Sequence, residues 1–323
     1  MTEGTERERP RGETGAGHGV GADAPPGGDV LARELQGTLP CARCGYNLRG
    51  LSVRAVCPEC GTPVRGTILA MVDPFAEELR PIAFPRVIAS LVVLWGAGAV
   101  AAAAAVWWLR GAELASMIGV DLAVPEWFGA VPAAGVAVSG VGALALIRPH
   151  GGIAPVASVA AGVGVAAYIP LAYLMLILHA NVDRLSTMPF MGRDEVSEMR
   201  TLIRLGIAFF AAITIMGVRP NARLLGSRSL VMRSGRVDRQ TMLVMVGALG
   251  IASAGDALRL MAVGGLGDLL GTIGLIVIAV GSMLFTLGLA GVMVDVTRVA
   301  RVIVSPPLGI RQVLYGTGDE RSP

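Results

Sequence analysis

The sequence predicts an all-α membrane protein, with about six transmembrane helices and a small four-cysteine ribbon near the N-terminus. Three observations carry this. The 323 residues are 53% hydrophobic and only 16% charged, against roughly 25% charged for a soluble domain, and the mean hydropathy is +0.64. The depletion is uneven: residues 1–85 are polar and rich in Gly and Pro, whereas most of 87–294 is Ala, Val, Leu, Ile and Gly. All four cysteines fall between positions 41 and 60, in two CxxC pairs.

Residues 1–37 contain Glu6, Arg7, Glu8 and Arg9 followed by Gly/Pro-rich sequence, without the apolar core of a secretory signal. Such a segment buries too little apolar surface to offset its ordering entropy, and it is expected to be a disordered, solvated tail. Every basic residue is Arg, and the net charge of +3 is too small to point to a nucleic-acid partner.

A membrane crossing needs about 20 apolar residues. Six stretches meet this: 87–109, 127–147, 153–179, a weaker one at 202–218 that contains Arg204, 241–263 and 269–294. Helical periodicity says little within them, because a lipid-facing helix is apolar all round. Barrel strands are excluded, since the runs are continuous rather than alternating. Arginine placement tests the count. With the N-terminus inside, one side holds Arg80, Arg86, Arg148, six arginines between Arg219 and Arg239, and Arg298, Arg301 and Arg311. The other side receives fewer, mixed with Glu113, Asp121, Glu126, Asp183, Asp194, Glu195 and Glu198. The positive-inside rule then puts both termini in the cytoplasm and the protein in the cytoplasmic (inner) membrane. Trp107, Trp108, Trp127 and Phe128 gather at the opposite boundary, as interfacial aromatics do, and Arg204 is expected to snorkel there. Pro170 lacks the N–H that the Ala166 carbonyl needs and clashes with it, so a kink in the third span is expected.

The organisation that follows is a tail over 1–37, the ribbon over 38–66 and a juxtamembrane linker over 67–85. A six-helix domain then occupies 86–296, and a cytoplasmic tail 297–323. The linker is expected to carry a short helix capped by Asp73 and begun by Pro74.

Cys41-Ala-Arg-Cys44-Gly45 and Cys57-Pro-Glu-Cys60-Gly61 are matching knuckles with overall spacing C-x2-C-x12-C-x2-C. Two-residue spacing lets both sulfurs of a knuckle face one ion, and the following Gly supplies the positive φ that closes the turn. Four thiolates make a closed tetrahedral site, for which one structural Zn2+ is the first expectation. Iron in a rubredoxin-like site and a pair of disulfides are the alternatives, the latter disfavoured by a reducing cytoplasm. Arg43, Arg49, Arg54 and Arg65 are placed to offset the net negative charge of the site. A closed site leaves no position for catalysis by the metal.

The run Cys-Ala-Arg-Cys-Gly-Tyr-Asn-Leu-Arg-Gly-Leu at 41–51, followed by Cys-Pro-Glu-Cys-Gly at 57–61, resembles the zinc-ribbon head of a group of uncharacterised bacterial multi-pass membrane proteins. The resemblance covers about 20 residues. It implies four metal ligands, Cys41, Cys44, Cys57 and Cys60, and no activity.

Three functions stay open. The first is a non-enzymatic membrane protein whose ribbon docks a protein partner or stabilises an assembly. The ribbon has only Tyr46 as an aromatic, and residues 1–85 hold nine Arg against eleven acidic residues, which argues against nucleic acid. The second is a small-solute or ion transporter or channel using Asp256 and Arg259, three apart on one face of the fifth span and able to pair; ionisable groups inside spans are functional candidates by default. A membrane-embedded enzyme comes third, because no nucleophile, acid–base pair, phosphate loop or dinucleotide fingerprint is visible. His179 ends the third span without an evident partner.

Overall fold

Six helices are long and apolar enough to cross a membrane: Pro85–Met117, Glu126–Leu146, Pro155–Leu185, Glu198–Gly226, Met242–Met261 and Leu269–Val304. They are called the first to sixth spans below. The computed structural model describes residues 34–73, 81–186, 188–190, 198–228, 241–261 and 267–316. These fall into two compact units, one of residues 1–70 with 311–323 and one of residues 71–310.

In the larger unit each span packs against its neighbours in sequence, and the sixth closes on the first. The bundle is therefore a ring. Apolar side chains gain little by meeting each other in lipid, so such helices associate where small residues let backbones approach. Glycine supplies those points here. A Cβ on Gly217 would lie 2.7 Å from the Cα of Gly164, so the third and fourth spans touch backbone to backbone. On the sixth span Gly274, Gly281 and Gly288 recur every seventh residue and all face the fifth; a Cβ on Gly281 would lie 2.6 Å from the amide nitrogen of Ala252. Next to the membrane spans, Val72–Asp73 and Leu308–Gly309 form a two-residue parallel ladder that ties the entry of the ring to its exit.

The weak fourth span is a full 29-residue helix. Pro170 acts as expected: one helix ends at Ala166, Ala167 is a turn, and the next runs Tyr168–Leu176. That helix gives way to a π-helical segment, Ile177–Val182, so the third span continues past its expected end at 179. The sixth runs ten residues beyond 294, into the segment expected to be tail. Asp73 lies buried in the ladder, and the rest of the short helix expected after it falls outside the described residues. A helix that was not expected spans Val64–Met71.

Two buried polar knots hold the first four spans. Trp95 Nε1 donates to Tyr168 Oη at 2.8 Å, and Ser139 Oγ donates to the Trp95 carbonyl at 2.8 Å and lies 3.1 Å from Tyr168 Oη. The phenol proton then goes to Ser139, and all three groups are satisfied. Toward the Pro85 end of the ring, buried Asn221 donates to the carbonyls of Leu146 at 2.7 Å and Ile147 at 3.2 Å, where the second span finishes.

In the smaller unit the two knuckles repeat one hydrogen-bond pattern. Cys41 N–H donates to Tyr46 O at 2.7 Å and Cys57 N–H to Thr62 O at 2.8 Å; Gly45 and Gly61 donate back to Cys41 and Cys57. The unit starts earlier than expected: Leu35 exchanges backbone bonds with Leu51 and Gly50, and Gly37 N–H donates to Val313 O at 3.0 Å. The C-terminal helix, Ile310–Tyr315, thus supplies a piece of the ribbon. Leu35, Leu39, Leu48, Val64 and Val313 are its buried apolar side chains.

Two outcomes test these contacts. Tyr168→Phe leaves the Trp95 N–H without its acceptor and should cost about 1–2 kcal/mol. The melting temperature of detergent-purified protein should fall, and adding Trp95→Phe should cost less than its effect alone. A Cβ at Gly37 would fall on the Gln312 carbonyl, so Gly37→Val should release the C-terminal helix and accelerate tryptic cleavage after Arg311.

Candidate functional site

The ribbon brings the four cysteines together. All are free thiols, and their sulfurs lie within 4.8 Å of one another. Cys41 and Cys60 sulfurs are 3.6 Å apart, and those of Cys44 and Cys57 are 3.5 Å apart. A tetrahedron with metal–sulfur bonds of about 2.3 Å has edges of about 3.8 Å, within that range. Gly45 and Gly61 take φ of 77° and 70°, the left-handed turn on which both knuckles depend. The N–H groups of Cys44 and Arg43 draw the Cys41 thiol down to about 6, so a thiolate is present at neutral pH. The Tyr46 N–H pulls Cys44 the same way, yet desolvation and the neighbouring sulfurs push it up to about 12. A cation among the sulfurs removes that repulsion. The donor set therefore fits a metal ion with four protein ligands and no open position.

A second constellation lies at the Met117 end of the ring. Asp256 and Arg259 are both buried there, but the ion-pair partner of Asp256 is Arg204 of the fourth span. Arg204 Nε stands 3.1 and 3.2 Å from the two carboxylate oxygens. Arg204 thus does not snorkel; its side chain is 13% exposed and turned into the bundle. The stem of Arg259 lies over Gly274 of the sixth span.

Beside this pair, the π-helical turn places His179 and Asp183 four residues apart. His179 Nδ1 donates to Asp183 Oδ2 at 2.7 Å, and Arg200 Nε donates to Oδ1 at 2.7 Å. The carboxylate fixes the imidazole tautomer and ring orientation. π-Helical turns recur at functional sites because they re-aim side chains that a regular helix would stack. Phe190 stacks on His179 at 6.2 Å between ring centroids. Its other neighbours are the guanidinium groups of Arg200 at 5.1 Å and Arg110 at 5.5 Å. Glu113 holds it in place by accepting the Phe190 N–H at 2.8 and 3.1 Å.

His179, Phe190, Arg110, Arg200, Arg204 and Asp256 are part of the lining of a cavity of about 270 Å³ inside the ring, to which all six spans contribute. Trp95 and Arg110 both line it, and they lie about 22 Å apart along the helix axis at 1.5 Å per residue. Away from the charged end its wall is mostly apolar, with Ala99, Leu171, Ile207, Leu249 and Phe285 among the lining. Trp107, expected in the interfacial belt, turns inward instead. Its Nε1 donates to Thr286 Oγ1 at 2.9 Å, while Trp108 and Trp127 stay exposed.

No protein-family model, curated protein or solved structure matches this chain.

Removing one member of a buried ion pair strands the other, at a cost of about 3–5 kcal/mol. Asp256→Asn should therefore destabilise the protein strongly, and adding Arg204→Gln should restore part of the loss. Thermal melting of the two single variants and the double variant reads the coupling directly; additive effects would mean that the two groups do not interact.

Proposed function

We propose that this is a cytoplasmic-membrane protein whose ring of six spans takes up a small, largely apolar molecule, with a structural zinc ribbon on the cytoplasmic side. The observation that carries it is the axial cavity. Every span contributes to its wall, and Asp256, Arg204, Arg200 and Arg110 are part of that wall. Of the sequence expectations this favours a binding or transport role over a scaffold, with Arg204 replacing Arg259 as the partner of Asp256. The arginine bias of the loops supports cytoplasmic termini.

Zinc is the metal that best suits four thiolates in a closed tetrahedral site. Bound there it cross-links a module whose own apolar core is small, and its binding energy becomes folding energy. Cys41, Cys44, Cys57 and Cys60 would hold it, with the Thr62 hydroxyl, 3.1 Å from the Cys60 sulfur, supporting one ligand. A second reading, docking of a protein partner at this module, draws support from Tyr46, Val56 and Leu69, which are exposed there.

Metal analysis of detergent-purified protein should find about one zinc per chain, lost in a Cys57→Ser/Cys60→Ser variant. Iron instead would redirect the ribbon toward electron transfer. For the cavity, Ala208→Trp places bulk on its wall and should lower uptake of an apolar dye without lowering the melting temperature; unchanged uptake would count against the binding role.

A further inference from the structure

We infer that the axial cavity holds one long-chain amphipathic anion, with its carboxylate or phosphate on Arg110 and its hydrocarbon chain along the ring axis; this rests on the reading of the cavity as a binding site. The shape argues for a single chain. Small-molecule pockets begin at roughly 300 Å³, and here about 270 Å³ is spread over a length of about 22 Å. That space is long and narrow. One extended hydrocarbon chain matches that volume and length better than the two chains of a phospholipid.

The charge argues for an anion. Arg110, Arg200 and Arg204 line the cavity, and among the described lining residues Asp256 is the only carboxylate. Arg200 is engaged by Asp183 and Arg204 by Asp256. Arg110 differs. Its guanidinium rests over the rings of Trp107 at 5.1 Å and Phe190 at 5.5 Å, and among the described residues it has no carboxylate or hydrogen-bond partner. Cation–π contacts use the flat face of a guanidinium and leave its edge of N–H donors to an acceptor. Glu113, one turn further along the same helix, is committed to the Phe190 N–H. Among the described residues buried at or lining this end, Arg110, Arg200, Arg204 and Arg259 stand with Glu113, Asp183 and Asp256, one positive charge in excess.

Other occupants satisfy only half of this. A neutral lipid fills the apolar length but leaves the Arg110 edge without an acceptor, which is costly in an apolar site. A small inorganic anion satisfies Arg110 and leaves the apolar length without contacts. A fatty acid and a single-chain alkyl phosphate share the required chemistry.

The test is equilibrium binding of radiolabelled palmitate, hexadecyl phosphate and 1-hexadecanol to full-length protein in one detergent at fixed micelle concentration. Palmitate or hexadecyl phosphate should bind more tightly than hexadecanol; the stronger of the two identifies the head group. Arg110→Gln should weaken the anion by about tenfold or more and leave hexadecanol unchanged, while Arg110→Lys should retain most of the binding. Equal binding of palmitate, hexadecyl phosphate and hexadecanol, or no effect of Arg110→Gln in a variant with unchanged melting temperature, overturns the anion and leaves the cavity as a site for apolar molecules. Displacement of palmitate by inorganic phosphate overturns the chain and makes this a small-anion site. Absence of binding by any of the three chains to folded wild-type protein overturns the inference and the cavity's binding role together.

Discussion

Helices that cross a membrane have no hydrophobic incentive to associate, because lipid solvates an apolar side chain as well as another helix does. The bundle depends instead on close backbone approach, and in this chain that means glycine. Gly164 against Gly217 sets the spacing of the third and fourth spans, and Gly274, Gly281 and Gly288 set that of the fifth and sixth. Because each contact joins neighbours in sequence, and the sixth span returns to the first, the result is a closed ring. The axial space lies beside a core to which all six spans contribute, with Trp95, Val136, Tyr168, Val218, Met245 and Leu289 among its side chains.

Polar groups then have to find their partners within that ring. Trp95, Ser139 and Tyr168 satisfy one another across three spans, and Asn221 takes up the carbonyls at the end of the second. At the Met117 end, arginines and carboxylates are placed opposite each other from the first, third, fourth and fifth spans. Phe190 serves as the shared surface against which His179, Arg110 and Arg200 are laid. The same arrangement that keeps buried charge tolerable gives the cavity its polarity: an apolar wall along most of its length and basic groups at one end.

Much of this was legible before the structure. Continuous apolar runs gave the six spans, and the arginine-rich loop after 218 required the weak fourth to be one of them. Pro170 marked the interruption at Ala167, since a proline must free the carbonyl four residues back. The two knuckles pointed to four cysteines gathered where they could hold a metal ion and to the positive φ at Gly45 and Gly61. What could not be read was the choice of partner. Asp256 has an arginine three residues away, on its own helix face, yet pairs with one 52 residues upstream, because ring packing, not sequence distance, decides which groups share a buried space. His179 looked like the end of a span; the signal for its role was Asp183 four residues on, but the π-helical turn and the distant Arg200 that complete the set follow only from the fold. Trp107 was misread for the same reason: composition places an aromatic at a depth in the membrane and does not say which way it faces.

The hydrogen bond from Gly37 to Val313 sets an order of events. The cysteine module is made before the six spans, but one of its hydrogen-bonding partners lies in a segment made after them. Domains ordinarily mature from the N-terminus as they emerge; this one stays incomplete until all six spans have been made. A premature stop anywhere in the membrane domain would leave the cysteines in a module without its closing segment.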